Sequence, residues 1–480
     1  MKLCRLIEDI PSIKENYNKN LIIKSLSHNS KQCEKGGLFF CLTGGSFDGH
    51  DYVLEAEHNG AVAIVCERKT DSNLPQIIVK DSRIAMAEIA KRFNNNIVDK
   101  LKIISLVGTN GKTTICALLS HILRACGKKV GVIGTNGVYF DNELKIPCAL
   151  TTPDPIELHY IFNQLYMFGI EYVVIEASAH AIELKKLHGI KSELGIFTNI
   201  TNEHLDYFKT MEHYASVKIN YFTADNMKTR VVNIDDEYGK KICVEAGNEC
   251  FSYGISNPAH SFAIDIQTSM KGSKFIVNTF DNIINIESIL VGDFNIYNIL
   301  AAITAAKVLG CRNDVIRDAI KKMTPVEGRF NIFEYKNNIK IIVDFAHTPD
   351  GLEKTLGIIK KLRQGKIISL FGCVGYSDIE KRKIMGEVVD TYSDEIIITA
   401  DNPNFITVEE IAVDIKKGIK KCKVTVISNR REAIEFAFKN LKTNDTLVLL
   451  GKGAETHQKV KGKNEEHSDI MIVKKLLKIN

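Results

Sequence analysis

Hydrophobic and polar positions alternate along this chain in two rhythms. Short, nearly unbroken apolar runs that end at glycine or polar residues predict buried strands, and apolar residues recurring every three or four positions predict helices. In residues 1–98 the runs "GGLFFCLTG", "GAVAIVCE" and "QIIVKDS" predict strands, and "IAMAEIAKRFNN" predicts a helix that stops at its asparagines. From "LKIISLVG" onward, strands and helices take turns: "TTICALLSHILRACG", "KVGVIGT", "PIELHYIFNQLYMFG", "YVVIEAS", "LGIFTNI". That alternation predicts βαβ units around a mostly parallel sheet. Between residues 240 and 290 the pattern changes to short alternating strands, "HSFAIDIQTSMKGSKFIVNTF", and then to "NIYNILAAITAAKVLG", expected to be a helix with a strong apolar face. A third block begins near "EGRFNIFEY" and carries the strands "KIIVDFA", "KIISLFG", "EIIITAD" and "TLVLLGKG". The chain therefore reads as α/β with three domains, 1–98, 99–327 and 328–480.

Composition narrows the partners. A length of 480 residues is enough for three separate cores. A net charge of +5 over that length gives no support to nucleic-acid binding. The densest basic run, "KKGIKKCK" at 416–423, reads as the solvated face of a helix. Twelve cysteines are scattered singly without a CxxC pair, which suggests reduced, mostly buried thiols. No apolar run approaches the roughly 18 residues of a membrane span, and no leader pattern opens the chain. A cytoplasmic protein, acting as a monomer without membrane or nucleic-acid partners, is expected.

Candidate chemistry sits just after the apolar runs, where open parallel sheets place their ligands. "LVGTNGKTT" puts Gly108, Thr109, Asn110, Gly111, Lys112, Thr113 and Thr114 between a strand and a helix. A glycine turn opening a helix offers backbone N–H groups to a phosphate, and Lys112 adds a cation. The turn is shorter than the usual phosphate loop, because Leu106 stands where a first glycine would be. Glu176 ends the buried run "VVIEASAH", His204 follows another in "FTNITNEHLDYF", and Lys218 falls in the helical "MEHYASVKINYF". A carboxylate closing an apolar strand is costly to bury without a partner. Taken alone, His204 reads equally as a structural histidine, and Lys218 as a solvated helix lysine.

In this order, GTNGKT, the EASAH glutamate, the NEHLD histidine and the later lysine resemble the Mur ligase family. The resemblance implies a three-domain architecture: an N-terminal UDP-binding domain, a central phosphate-loop ATPase domain and a C-terminal Rossmann-like domain. It implies ATP and Mg²⁺, with Thr113 and Glu176 holding one ion beside the phosphates and His204 and a carbamylated Lys218 organising a second. "NIYN" (Asn295, Asn298) resembles the adenine-side motif, and "EGRF" (Arg329) the arginine that contacts nucleotide. "VDFAHTPDGL" (Asp344, His347) resembles a motif of ribose and phosphate contacts.

Within the family, "NSKQCEKGGLFFCLTG", "DGHDYV" and "TTPDPIELH" are similar to the UDP-N-acetylmuramoyl-tripeptide synthetases. That type implies a uridine contact at Ser30 and muramoyl-peptide contacts at Thr151, Thr152 and Ser178. Folylpolyglutamate synthetases lack the first domain and are a distant alternative. "GKGAETHQ" implies that Gly451 and Glu455 help to hold the incoming amino acid. Three departures stand out. The family's DNPR is here Asp401-Asn402-Pro403-Asn404, Ser377 replaces an arginine expected to grip an α-carboxylate, and Lys186 replaces an arginine that binds the sugar nucleotide. Arg382 or Lys381 could compensate. The amino acid added is then meso-diaminopimelate in a rearranged pocket, or L-lysine; otherwise the chain is a paralogue that joins another pair.

The activity so implied is activation of the D-glutamate carboxylate of UDP-MurNAc-L-Ala-D-Glu as an acyl phosphate, then attack by a free amino acid, in peptidoglycan precursor synthesis. Lys112, Glu176, His204 and Lys218 would carry it, and closure would hinge near 97–101 and 326–331. A nucleotide-binding relative without catalysis is the rival reading. Retention of all four residues argues against it.

Overall fold

The computed structural model describes residues 1–45, 47–140, 143–280, 282–375 and 379–479. Three larger sheets organise them, each with its own core. The N-terminal sheet runs, in spatial order, Ser12–Glu15, Gln76–Val79, Ala61–Cys66, Gly37–Phe40, Ser25–Ser27. Its first strand is antiparallel and the rest are parallel. The helix Ser82–Phe93 starts where the Asp81 carboxylate accepts the N–H groups of Arg83 and Ile84. It stops at the asparagines, where Asn95 and Asn96 turn into the left-handed region. This helix packs against the helix Pro155–Met167, and Lys91 Nζ donates to the Gly189 carbonyl at 2.9 Å, docking the first unit on the second.

The central sheet has eleven strands. Lys102–Val107 lies in its middle, flanked by Tyr172–Glu176 and Ser192–Phe197, all parallel. Both faces of these strands are covered, which is why they read as continuous apolar runs rather than as alternating ones. The three strands Ser261–Ser269, Gly272–Thr279 and Asn282–Ser288 pair antiparallel at one edge. Helix Asp293–Val308 carries the expected apolar face and more. It is wedged between the helix Lys112–Ala125 and the sheet, and it is buried nearly all round from Asn295 to Ala306.

The C-terminal sheet runs Asn331–Tyr335, Ile339–Asp344, Thr446–Leu450, Ile367–Phe371, Glu395–Ile398, Lys423–Val426, with only the first strand antiparallel. The basic run 416–423 is not a helix face. The helix Val408–Lys416 ends where the run begins, and the run forms a turn and the start of a strand. The reason is Asp390, whose carboxylate accepts the backbone N–H groups of Lys420, Lys421 and Cys422 and bends the chain around itself. Among the described residues, no helix is long and apolar enough to cross a membrane.

Candidate active site

The middle strand of the central sheet delivers the phosphate loop. Gly108 (φ 153°) and Gly111 (φ 91°) hold backbone conformations that side chains rarely adopt. Space forbids a side chain there too: a Cβ on Gly108 would lie 1.8 Å from Thr198 Oγ1, and one on Gly111 2.4 Å from Asn298 Oδ1. Asn199 accepts the Asn110 N–H at 3.0 Å, and Thr198 donates to the Asn110 carbonyl at 2.8 Å. Lys112 folds back over the turn, donating to the carbonyls of Gly108 and Thr109 at 2.8 and 2.9 Å. Thr113 and the buried Thr114 begin the helix, whose first N–H groups are free to face an anion.

Glu176 closes the adjacent strand and is buried. One of its oxygens accepts the Thr135 N–H at 3.1 Å, and the other accepts the hydroxyls of Thr113 (3.1 Å) and Thr135 (3.2 Å). Arg329 reaches in from the start of the C-terminal unit to donate to Thr113 Oγ1 at 3.1 Å, its guanidinium 4.2 Å from the centre of the Phe345 ring. Thr152 donates to the Glu176 carbonyl and accepts the Ser178 N–H, while Thr151 lies 3.3 Å from the Thr135 hydroxyl. Lys186, also buried, pairs with Asp154 at 3.0 Å.

On the other side, His204 sits in the left-handed region (φ 59°), held edge-on against His180 and Tyr214. Its pKa is pushed down to about 4 by burial and by the charges of His180, Lys112 and Lys218, against the pull of Glu203. Lys218 is fully buried, and its Nζ donates to the hydroxyls of Thr109 (3.1 Å) and Tyr214, with no ion-pair partner among the described residues. Burial, with Lys112 nearby, drives its pKa far below that of an ordinary lysine.

These groups surround or back a cavity of about 850 Å³ between the central and C-terminal units, where Asn295, Asn298, Arg329, Asp344 and His347 also appear. Asn298 donates to Asn295 Oδ1, fixing the amide pair on its helix. Asp344 accepts the N–H groups of Phe330 and Ala346 and the Thr355 hydroxyl, so it also braces the hinge segment. Gly328, in that segment, has φ 72°, and a Cβ there would lie 2.0 Å from the Ala454 backbone nitrogen.

Asp401, Asn402, Asn404, Gly451 and Glu455 gather at the carboxyl ends of the C-terminal strands. A Cβ on Gly451 would lie 2.2 Å from Asp401 Oδ2. Burial raises the Asp401 carboxyl, against Arg430 and Lys452. Asn402 donates to Glu455 at 3.1 Å. Asn404 spends its side-chain oxygen on the Gly462 N–H at 2.8 Å, tying down the turn of the hairpin His457–Glu466. Arg382, expected to compensate for the missing arginines, is buried and already engaged by Asp414 at 3.0 Å and by the Gly375 carbonyl. Ser377 lies outside the described residues. Ser30 is distant from the cleft, on the N-terminal unit, where it donates to Glu55.

Sequence reasoning missed several contributors. Glu203 was visible only as the residue before His204, yet it faces both His204 and His347. Lys452 lies inside the "GKGAETHQ" signal and is completely buried, donating to Asn402 Oδ1 (3.0 Å), to Glu455 and to the His457 carbonyl. Asp350 accepts from Asn110 at 2.8 Å across the cleft, a contact no local pattern announces.

Three family models match the chain: "Mur ligase family, catalytic domain" over residues 22–102, "Mur ligase middle domain" over 106–306 and "Mur ligase, glutamate ligase domain" over 328–453. A UDP-N-acetylmuramoyl-L-alanyl-D-glutamate–2,6-diaminopimelate ligase of Aquifex aeolicus is 39% identical over 95% of this chain and 94% of its own. A ligase of the same description from Clostridium acetobutylicum is 37% identical over 100% of this chain and 99% of its own. A solved structure of such a ligase superposes with a TM-score of 0.71 at 28% identity, covering 100% of this chain and 99% of that one.

Proposed function

The chain belongs to the Mur ligase family, and on that premise we propose that it is an ATP-dependent amide ligase adding 2,6-diaminopimelate to the D-glutamate of UDP-MurNAc-L-Ala-D-Glu. The names of its full-length relatives support the reaction and the amino acid. The observation that carries the reading is the meeting of Lys112, Thr113, Glu176, His204 and Lys218 around one cleft that also receives Arg329 and His347.

A carboxylate is a poor acyl donor because its leaving group would be oxide. In the proposed sequence the terminal D-glutamate carboxylate attacks the γ-phosphorus of ATP, the bond to the bridging oxygen breaks, and ADP leaves. The amino group then attacks the acyl carbon and loses a proton, and the tetrahedral intermediate expels phosphate as the amide forms. The protein positions the reactants and offsets charge. Lys112, the loop N–H groups and Arg329 face the phosphates, and Asn295 and Asn298 lie on the base side. Thr152 and Ser178 border the place where the acceptor carboxylate approaches, and Asn402 and Glu455 the place where the amine arrives.

Mg²⁺ fits this donor set. Among the described residues no three His, Cys, Asp or Glu side chains form a cage for a metal on their own. A hydroxyl and one carboxylate beside substrate phosphates is nonetheless how Mg²⁺ is commonly held. Thr113 and Glu176 would hold one ion, and His204 with a carbamylated Lys218 a second. Bound there, Mg²⁺ would neutralise phosphate charge. The Lys218 environment suits carbamylation, because burial disfavours the charged ammonium and an amine in its neutral form can add to carbon dioxide and release a proton.

The test is ADP release combined with product mass, using Mg-ATP, UDP-MurNAc-L-Ala-D-Glu and a panel of diaminopimelate isomers, lysine and ornithine. Product with a diaminopimelate is expected. Product only with another amine would correct the substrate, and ATP binding without product from any amine would overturn the ligase reading.

A further inference from the structure

The helix Pro155–Met167 packs its inner side against the sheet and the helix Ser82–Phe93, but at its end it also carries apolar residues outward. Met167 is 75% and Phe168 63% exposed, with Tyr166 beside them and Tyr160 exposed two turns earlier. Lysines ring this tip. Lys100 Nζ lies 5.2 Å from the Tyr166 ring centre, and Lys129 Nζ 3.5 Å from where a Cβ on Gly169 would be. Lys102 and Lys128 donate to the Tyr172 hydroxyl at 3.1 and 3.2 Å. Lys145 sits over the Phe140 ring, whose centre is 5.0 Å from that of Phe168. Glu143 pairs with Lys145, and Glu171 and Glu193 act on Lys102 from farther off. Among the described residues, however, Lys100, Lys102, Lys128 and Lys129 form no ion pair. The negative end of the helix would attract one such lysine; it explains neither the other three nor the outward Met167 and Phe168.

We propose that this tip is a peripheral docking surface for anionic phospholipid bilayers, with Met167 and Phe168 entering the headgroup boundary and the four lysines facing lipid phosphates. An apolar tip alone would suit an apolar partner, and lysines alone any polyanion. Protruding apolar side chains inside a ring of unpaired lysines match a surface that is anionic at its face and apolar just beneath. Placement agrees with this. Lys102, Val130 and Tyr172 open the parallel strands whose other ends carry the phosphate loop and Glu176, so the tip lies about 20 Å from the cleft, at the opposite edge of the sheet. A docked molecule keeps its cleft toward solvent. The surface departs from the expectation of no membrane partner, which rested on the lack of a spanning run; a peripheral contact needs none.

The experiment is sedimentation of the purified full chain with vesicles of phosphatidylcholine alone and with about one-third phosphatidylglycerol, at low and high salt. The wild type should bind the anionic vesicles at least about tenfold more tightly than the neutral ones and lose that preference at about 0.5 M salt. Lys128→Gln/Lys129→Gln and Met167→Ser/Phe168→Ser should each weaken binding by about tenfold or more, with ATP affinity and melting temperature near those of the wild type. The chain has no tryptophan, so Met167→Trp supplies a single reporter, whose emission should shift to the blue with anionic vesicles only. Absence of wild-type binding to anionic vesicles overturns the proposal, as does binding that both double variants keep. Loss in the lysine variant alone, without a blue shift, overturns insertion. Single-stranded DNA or polyglutamate bound as tightly as the vesicles would assign an acidic macromolecule instead and overturn the lipid.

Discussion

The Glu203 carboxylate of the central unit and the His347 imidazole of the C-terminal unit face each other at 3.3 Å across the nucleotide cleft. The other His347 ring nitrogen donates to the Phe345 carbonyl at 2.8 Å. Burial would raise the Glu203 carboxyl, but the His347 hydrogen bond and the charges of His347, His204 and Lys112 hold it well below the ordinary carboxylate range. A lowered carboxyl contributes stability that is complete above its unfolded value, about 4.3, and lost as pH falls toward its folded value. In nucleotide- and metal-free protein, Glu203→Gln should therefore lower the melting temperature near pH 5, just above the unfolded carboxylate range. The gap to wild type should narrow below about pH 4. Calorimetry across that range checks it, and a gap that widens in acid would contradict the pairing.

Lys218→Ala should reduce turnover by about a hundredfold or more, because the proposed carbamate and its oxygen donors could not form. Short carboxylates added to the assay should restore part of it, and removal of dissolved carbon dioxide should depress the wild type reversibly. Full activity in Lys218→Ala would dismiss the carbamate.

Gly111→Ala would place its Cβ 2.4 Å from Asn298 Oδ1 in a left-handed backbone, and Gly108→Ala its Cβ 1.8 Å from Thr198 Oγ1. Both should weaken ATP binding by about tenfold or more, Gly108→Ala the more severely, because Thr198 is itself held to the Asn110 carbonyl. Nucleotide titration monitored by calorimetry gives both numbers.

Asn404→Arg restores a guanidinium where relatives of the diaminopimelate-adding type are expected to have one, and removes the cap on the Gly462 N–H. Loss of that cap should cost about 1 kcal/mol of stability. The new bidentate donor should raise the preference for diaminopimelate over lysine by about tenfold. Competition between the two amino acids, read by product mass, measures the ratio.

What the sequence showed follows from what burial demands locally. Lys102–Val107, Tyr172–Glu176 and Ser192–Phe197 are covered on both faces, so their apolar runs and the polar residues closing them stood out. The phosphate loop was legible for the same reason, since its glycines and Lys112 directly follow such a run. The helix Asp293–Val308 was legible as a helix with an apolar face, but not the burial of its other sides, because a wholly buried helix and a one-faced helix share a period and differ only in what packs outside. The 416–423 run was misread because Asp390, which bends it, comes from another helix. Glu203, Lys452 and Asp350 owe their importance to partners on other elements: His347, Asn402 and Asn110. Asn404 and Arg382 drew attention as replacements for expected chemistry, and the structure has both occupied in holding loops.

Gly328 touches Ala454, with Arg329 beside Thr113 on one side and Glu455 beside Asn402 on the other. On the roles proposed above, the segment facing the phosphates and the segment facing the amine are therefore joined by one close backbone contact. Whatever factor ATP applies to the affinity for the amino acid, the amino acid must return to ATP. A methyl group at residue 328, whose carbon would lie 2.0 Å from the Ala454 backbone nitrogen, should therefore change both affinities together.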